Sequence, residues 1–188
     1  MRTFTLNPAT TALLIVDMQE KIFAPMKQGE KVLHTIRLLI HGCQQFHIPV
    51  ILTEQYPQGL GITLEPIQKL LNEQYRPWVK STFSAVNDPS FINHLSTLAM
   101  TQWIVVGLET HICVLQTVKG LINLGKEVVV LNHGMTARTS EDHDIALKEI
   151  NQAGARVSTL EAILFELLKD SQAPQFKAIS QLVKTGTI

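Results

Sequence analysis

Cysteine is scarce in this chain: 188 residues hold two, Cys43 and Cys113. A framework of disulfides is therefore excluded, and with it the small stapled folds of secreted proteins. Charge of one sign is missing too. Acidic and basic side chains number 16 each, for a formal net charge of zero, and no basic stripe or acidic run breaks the balance. That argues against nucleic acid or an anionic membrane surface as a partner. No apolar stretch is long enough to cross a bilayer. The opening Met1-Arg2-Thr3-Phe4 lacks the long apolar core of a signal peptide. Internal repeats, low-complexity segments and linkers are absent. The expectation is a cytoplasmic protein of one domain spanning residues 1–188. Its 45 % hydrophobic content is enough for a substantial core.

What is present is an alternation. Ala12 to Val16 is a continuous apolar run ending at Asp17, as in a strand covered on both faces. Gly29 to Phe46 follows at helical spacing, with Val32, Leu33, Ile36, Leu39, Ile40 and Cys43 on the inward stripe. Cys43 reads as core. Pro49 to Thr53 is a second strand, and Glu54 to Gly61 is a loop shaped by Pro57 and two glycines. Leu64 to Leu71 is a short helix. Trp78 to Ser84 reads as an extended segment from which Lys80 emerges. Asp88-Pro89 opens the helix Ser90 to Leu98. Glu127 to Leu131 is another buried strand, with a loop from Asn132 to Arg138. Ser140-Glu141-Asp142-His143 supplies a cap and an acidic first turn. Arg156 to Ser158 is a short last strand. Leu160 to Leu168 and a weaker segment, Pro174 to Val183, close the chain as helices. Strand and helix alternate about six times, which predicts an α/β protein with a mainly parallel sheet between helix layers.

The stretch Trp103 to Val114 carries the chemistry. Ile104 to Val106 reads as a buried strand that Gly107 breaks. Thr110 is a good helix cap, and Ile112, Leu115, Val118, Leu121 and Ile122 recur at helical spacing. Cys113 then lies in the first turn of a helix, past the carboxyl end of a strand. Ligands of open α/β sheets bind at that edge, and a helix start favours a thiolate. The plainer reading of an isolated cysteine is a small core residue. Asp17 and Lys80 weigh against it, because each also ends a strand. Right-handed crossovers bring such ends to one edge. The histidines show no metal-ligand spacing, so neither a metal site nor a cofactor is expected.

Leu13 to Gln19, then Lys80 to Ser84, then Gly107 to Val114 resemble, in that order, the three motifs of the isochorismatase-like cysteine hydrolases. Thr53 to Pro57 with Gly59-Leu60-Gly61 is most similar to the isochorismatase domain-containing subgroup. The resemblance implies a three-layer α/β/α, Rossmann-like fold on a six-stranded parallel sheet, often assembled as dimers or larger. It implies a catalytic triad of Asp17, Lys80 and Cys113. Backbone amides of Glu109 and Cys113 would line an oxyanion hole, and the Leu108–Glu109 peptide would be cis. Gln19, Phe23, Tyr56 and Phe83 are the expected lining of a substrate pocket.

The implied reaction is hydrolysis of a small amide or related carbonyl through a thioester on Cys113. The nicotinamidases of this family hold a metal with an Asp-x-His motif. Thr53-Glu54-Gln55-Tyr56 has no such ligands. True isochorismatases cleave a vinyl ether and need no thiol. That chemistry, a redox thiol protein and a non-catalytic scaffold are the alternatives. Apolar Ile163 to Leu168 exceeds what a terminal helix needs for docking, which points to a homo-oligomer.

Overall fold

The computed structural model describes residues 3–186, so Met1 and Arg2 of the opening segment lie outside it. The chain runs β1 (Thr11–Val16), α1 (Glu20–Phe23), α2 (Gly29–Gln45), β2 (Val50–Gln55), α3 (Pro57–Leu60), α4 (Glu65–Leu71) and β3 (Trp78–Lys80). It continues through α5 (Pro89–Thr97), β4 (Gln102–Leu108), a π-helical turn (Thr110–Val114), α6 (Leu115–Asn123), β5 (Glu127–Thr136), α7 (Ser140–Gln152), β6 (Arg156–Ser158), α8 (Leu160–Leu168) and α9 (Phe176–Thr185).

The strands form one six-stranded sheet in the order β3-β2-β1-β4-β5-β6, every neighbouring pair parallel. Parallel sheets are covered on both faces, and the strand sequences show it. Leu13 and Ile15 of β1 join Val32, Ile36, Leu39, Ile67 and Ile163 on one side. Ala12, Leu14 and Val16 join Phe91, Val118, Leu121 and Ile150 on the other. Alternate residues of one strand thus feed two cores, one under α2, α4 and α8, the other under α5, α6 and α7. Cys43 belongs to the first core and Cys113 to the second, with the sheet between them.

Several elements differ from the sequence reading. The segment after Trp78 is a strand only to Lys80, because it pairs with β2 over three residues, Thr53↔Trp78 to Gln55↔Lys80. The expected loop at Asn132 continues as strand to Thr136, since β4 still offers partners: Gly107 pairs with Met135 and Leu108 with Thr136 past a register shift. The cap of α7 is Thr139, whose hydroxyl accepts from the Asp142 amide; Ser140 is the first helical residue. The apolar surplus of α8 is buried except at Phe165, which is 37 % exposed. Leu164 and Leu168 pack under Ile179 of α9, so most of the surface expected to drive oligomerisation is covered within the chain.

Strand order reverses between β1, which leads to β2 on one side, and β4, which leads to β5 on the other. Ligand crevices of open α/β sheets form at such a switch point. Gly107 closes it tightly. A Cβ at this residue would stand 2.1 Å from the Val16 carbonyl oxygen, and its φ is +142°. Only glycine fits there.

Candidate active site

Asp17 directly follows β1. Its φ of 51° lies in the left-handed region, which aspartate tolerates better than most residues. The bend is fixed by the Gln19 amide donating to the Asp17 carbonyl at 2.8 Å. The carboxylate faces inward and is 1 % exposed. Its Oδ1 accepts from the Thr53 hydroxyl at 2.7 Å, and its Oδ2 accepts from Lys80 Nζ at 2.7 Å.

Lys80 ends β3, two strands from β1, and its long side chain reaches past β2 to Asp17. The ammonium also donates to Gln55 Oε1 at 2.6 Å and to the Thr82 carbonyl at 3.2 Å. A buried ion pair is costly unless its remaining valences are satisfied. Here Thr53 serves the anion while Gln55 and Thr82 serve the cation.

Cys113 lies in the π-helical turn after β4, buried against the same pair. Its thiol lies within electrostatic reach of both Asp17 and Lys80. Burial pushes the thiol pKa up, the Asp17 charge pushes it further, and the Lys80 charge pulls against both. The resting cysteine is a thiol, not the thiolate that a helix start alone would favour. The neutral thiol leaves the site with one anion and one cation. Moving its proton to Asp17 leaves one of each again, so the transfer needs no outside counter-ion.

The Leu108–Glu109 peptide, expected cis, is trans, as is every peptide bond among the described residues. The chain turns instead through Glu109, whose φ is 55°. Thr110 does not cap the turn. Its buried hydroxyl lies 2.9 Å from His143 Nδ1, and His143 Nε2 lies 3.1 Å from Asn132 Oδ1. Burial lowers the His143 pKa. The ring ties the turn that carries Cys113 to α7. A π-turn of this kind is frequent at functional sites.

The expected pocket residues divide. Gln19 is wholly buried, and its amide clamps the Gln55 backbone on both sides (2.7 and 2.9 Å) and the Gly61 carbonyl (2.6 Å). Phe23 is half-buried against the core, its ring over Gly29. Tyr56 and Phe83 are more than half exposed beside Lys80. Glu54 is buried and accepts from the Thr63 amide, the Thr63 hydroxyl and the Tyr75 hydroxyl, each at 2.7 Å. Among the described residues no group of three or more His, Cys, Asp or Glu is arranged to hold a metal ion. Thr53, Gln55 and His143 were missed as site residues. The polar run Thr53-Glu54-Gln55 at the end of an apolar strand was the available signal for the first two; nothing in the sequence marked His143.

A buried Asp-Lys-Cys cluster at the switch point of a parallel α/β sheet defines a class of protein, and the comparisons name its family. The family model of the isochorismatase domain matches residues 11–162. Isochorismatase family protein 1B of Dictyostelium discoideum is 33% identical over 181 residues, 94% of this chain and 87% of that protein. A Caenorhabditis elegans structure described as MAR1 ribonuclease superimposes with a TM-score of 0.90 at 35% identity, over 96% of this chain and 93% of that one. The YcaC gene product of Escherichia coli, described as an octameric hydrolase of unknown specificity, shares the fold with a TM-score of 0.85 at 19% identity over 100% of both chains. The chain belongs to the isochorismatase family, and that membership supports a hydrolase of small substrates.

Proposed function

We propose that this protein is a cysteine hydrolase of a small amide or related carbonyl compound, acting through a thioester on Cys113. The observation that carries the reading is the Asp17–Lys80 ion pair, buried at 2.7 Å beside the thiol. Asp17 takes the thiol proton as the sulfur attacks the carbonyl carbon. Lys80 then faces a thiolate in place of a carboxylate. Backbone amides of Glu109 and Cys113 receive the oxyanion; one such donor contributes about 3 kcal/mol. Asp17 returns the proton to the leaving amine. It next deprotonates a water, which attacks the thioester; the carbon–sulfur bond breaks, the acid leaves, and Asp17 hands the proton back to the Cys113 sulfur. None of these steps calls for a cofactor. The two cysteines lie on opposite sides of the sheet, which disfavours a redox pair.

The test is a panel of small amides with mass spectrometry of the quenched enzyme. The expected result is a Cys113 acyl adduct and no turnover by Cys113→Ala. Turnover retained in Cys113→Ala would transfer the reaction to Asp17 alone, as in vinyl-ether cleavage, and reject the thioester. RNA belongs in the same panel because of the name carried by the C. elegans relative. With zero formal charge the expectation is no cleavage. We place the protein in the cytoplasm, on its two unpaired, buried cysteines.

A further inference from the structure

A cavity of about 450 Å³ opens at the carboxyl edge of the sheet, beside the reaction centre. Its walls are the start of α2, the end of β5, the loop after it and the start of α7. It adjoins the turn that leads to Cys113 at three points: Thr136 pairs with Leu108, Arg138 bonds Glu109 at 2.9 Å, and His143 meets Thr110 at 2.9 Å. The reaction steps above use none of its side chains.

Its charge is one-sided. Lys27, Lys31, Arg138 and His133 line it, and none of the lining residues carries a carboxylate. Two helix starts open on it as well. The 17-residue α2 begins there without a side-chain cap from Gln28, and the 13-residue α7 begins at Ser140. The start of α2 adds partial positive charge and amides that no side chain caps, while Thr139 caps α7 and Glu30, Glu141 and Asp142 stand in the two first turns. Arg138 engages Nη1 with Glu109, leaving the rest of its five-donor fork available. Glu109 offsets part of the Arg138 charge from outside the lining, and an anion in the cavity would relieve the repulsion among Arg138, Lys27 and Lys31 that remains. Val32, Met135 and Ala137 provide an apolar wall. The volume is in the range of small-molecule sites.

We propose that this cavity binds a small organic acid, its anionic group held by Lys27, Lys31 and Arg138 and its apolar body against Val32 and Met135. The inference concerns binding and stands whether or not Cys113 forms a thioester.

Matched pairs of acid and amide test it: acetate and acetamide, succinate and succinamide, benzoate and benzamide. Each is titrated into the full chain by calorimetry, and again into Cys113→Ala. In at least one pair the acid should bind saturably and at least tenfold more tightly than its amide, in both proteins, and more weakly as salt rises. The double variant Lys27→Ala/Lys31→Ala changes two exposed side chains and should keep the wild-type melting temperature while losing tenfold or more of that affinity. Arg138→Gln should do the same and gives a second reading if the double variant is unstable. Acids that bind no better than their amides, or acid binding unchanged in these variants, overturns the inference. Acid binding without any amide turnover would leave it standing and defeat the hydrolase reading instead.

Discussion

The side-chain amide oxygen of Gln55 accepts a hydrogen bond from the Lys80 ammonium at 2.6 Å. The other end of that amide donates to the Ser81 carbonyl at 2.8 Å, so its orientation is fixed. Gln55 places the cation between Asp17 and a neutral acceptor and adds no charge of its own. Gln55→Glu keeps the shape and adds an anion near the thiol, which should raise the Cys113 pKa further. Iodoacetamide labelling followed against pH should shift to higher pH. An unchanged profile would mean that Gln55 only fills space.

The charges of Asp17 and Lys80 act on Cys113 in opposite directions and make opposite predictions. The Asp17 charge is one of the causes that hold the thiol pKa up, so Asp17→Asn should lower it and speed labelling near neutrality, while ending turnover. Lys80 opposes that shift, so Lys80→Ala should raise the pKa and slow labelling. Lys80→Ala also leaves Asp17 buried without its partner, at a cost of about 3–5 kcal/mol. Cys43, with no exposed surface and packed in the core under α2, should stay unlabelled in the native protein. Peptide mapping that finds Cys43 modified before Cys113 would contradict the assignment.

Gly107→Ala should be among the most damaging single changes. The added methyl would meet the Val16 backbone, which cannot move without separating β1 from β4. A loss of stability of about 3 kcal/mol or more is expected, combining overpacking and a positive φ. Urea unfolding measures it, and a loss below about 1 kcal/mol would show that the strand ends can part.

Acid should weaken a second, structural site. Glu166 accepts from Arg156 at 2.8 and 2.6 Å and from the Leu6 amide at 2.8 Å, tying the first strand's approach to α8. The Arg156 bond holds the Glu166 pKa below its ordinary value. Its contribution is therefore complete above the unfolded carboxylate pKa of about 4.3 and fades as pH falls through the lower folded value. Glu166→Gln should cost about 1–2 kcal/mol at pH 7. It should flatten this part of the acid dependence, as read from melting temperature between pH 7 and pH 3. A variant whose curve parallels wild type would exclude the pair as a source.

Assembly is the remaining prediction. The oligomer proposed from the apolar α8 loses most of that support, but Tyr56, Ile62, Val79 and Phe83 are each about half exposed near the carboxyl ends of β2 and β3. Grouped apolar surface of that kind marks interfaces. Light scattering at micromolar concentration should give at least twice the chain mass of 21.0 kDa. A monomeric mass would leave the patch to another partner.

Local pattern determined much of this protein. Continuous apolar runs at Ala12–Val16, Ile104–Val106 and Val128–Leu131 specify buried strands, because only a sheet covered on both faces hides every residue. The spacing in α2 and α6 specifies which helix faces turn inward. Asp17, Lys80 and Cys113 could be selected because each stands where an apolar run stops. Their protonation could not be read that way. A helix start suggested a thiolate, but burial and the Asp17 charge, both products of packing, keep the thiol neutral. Tertiary structure also decided Gln19, which reads as a pocket residue until the Gln55 backbone captures its amide. It extended β5, because strand ends follow their partners more than their own residues. It placed His143 against the turn that carries Cys113 and gathered Lys27, Lys31 and Arg138 around one cavity from two distant segments. Side-chain spacing encodes an element's faces. The electrostatics between elements depend on distances that only the folded chain sets.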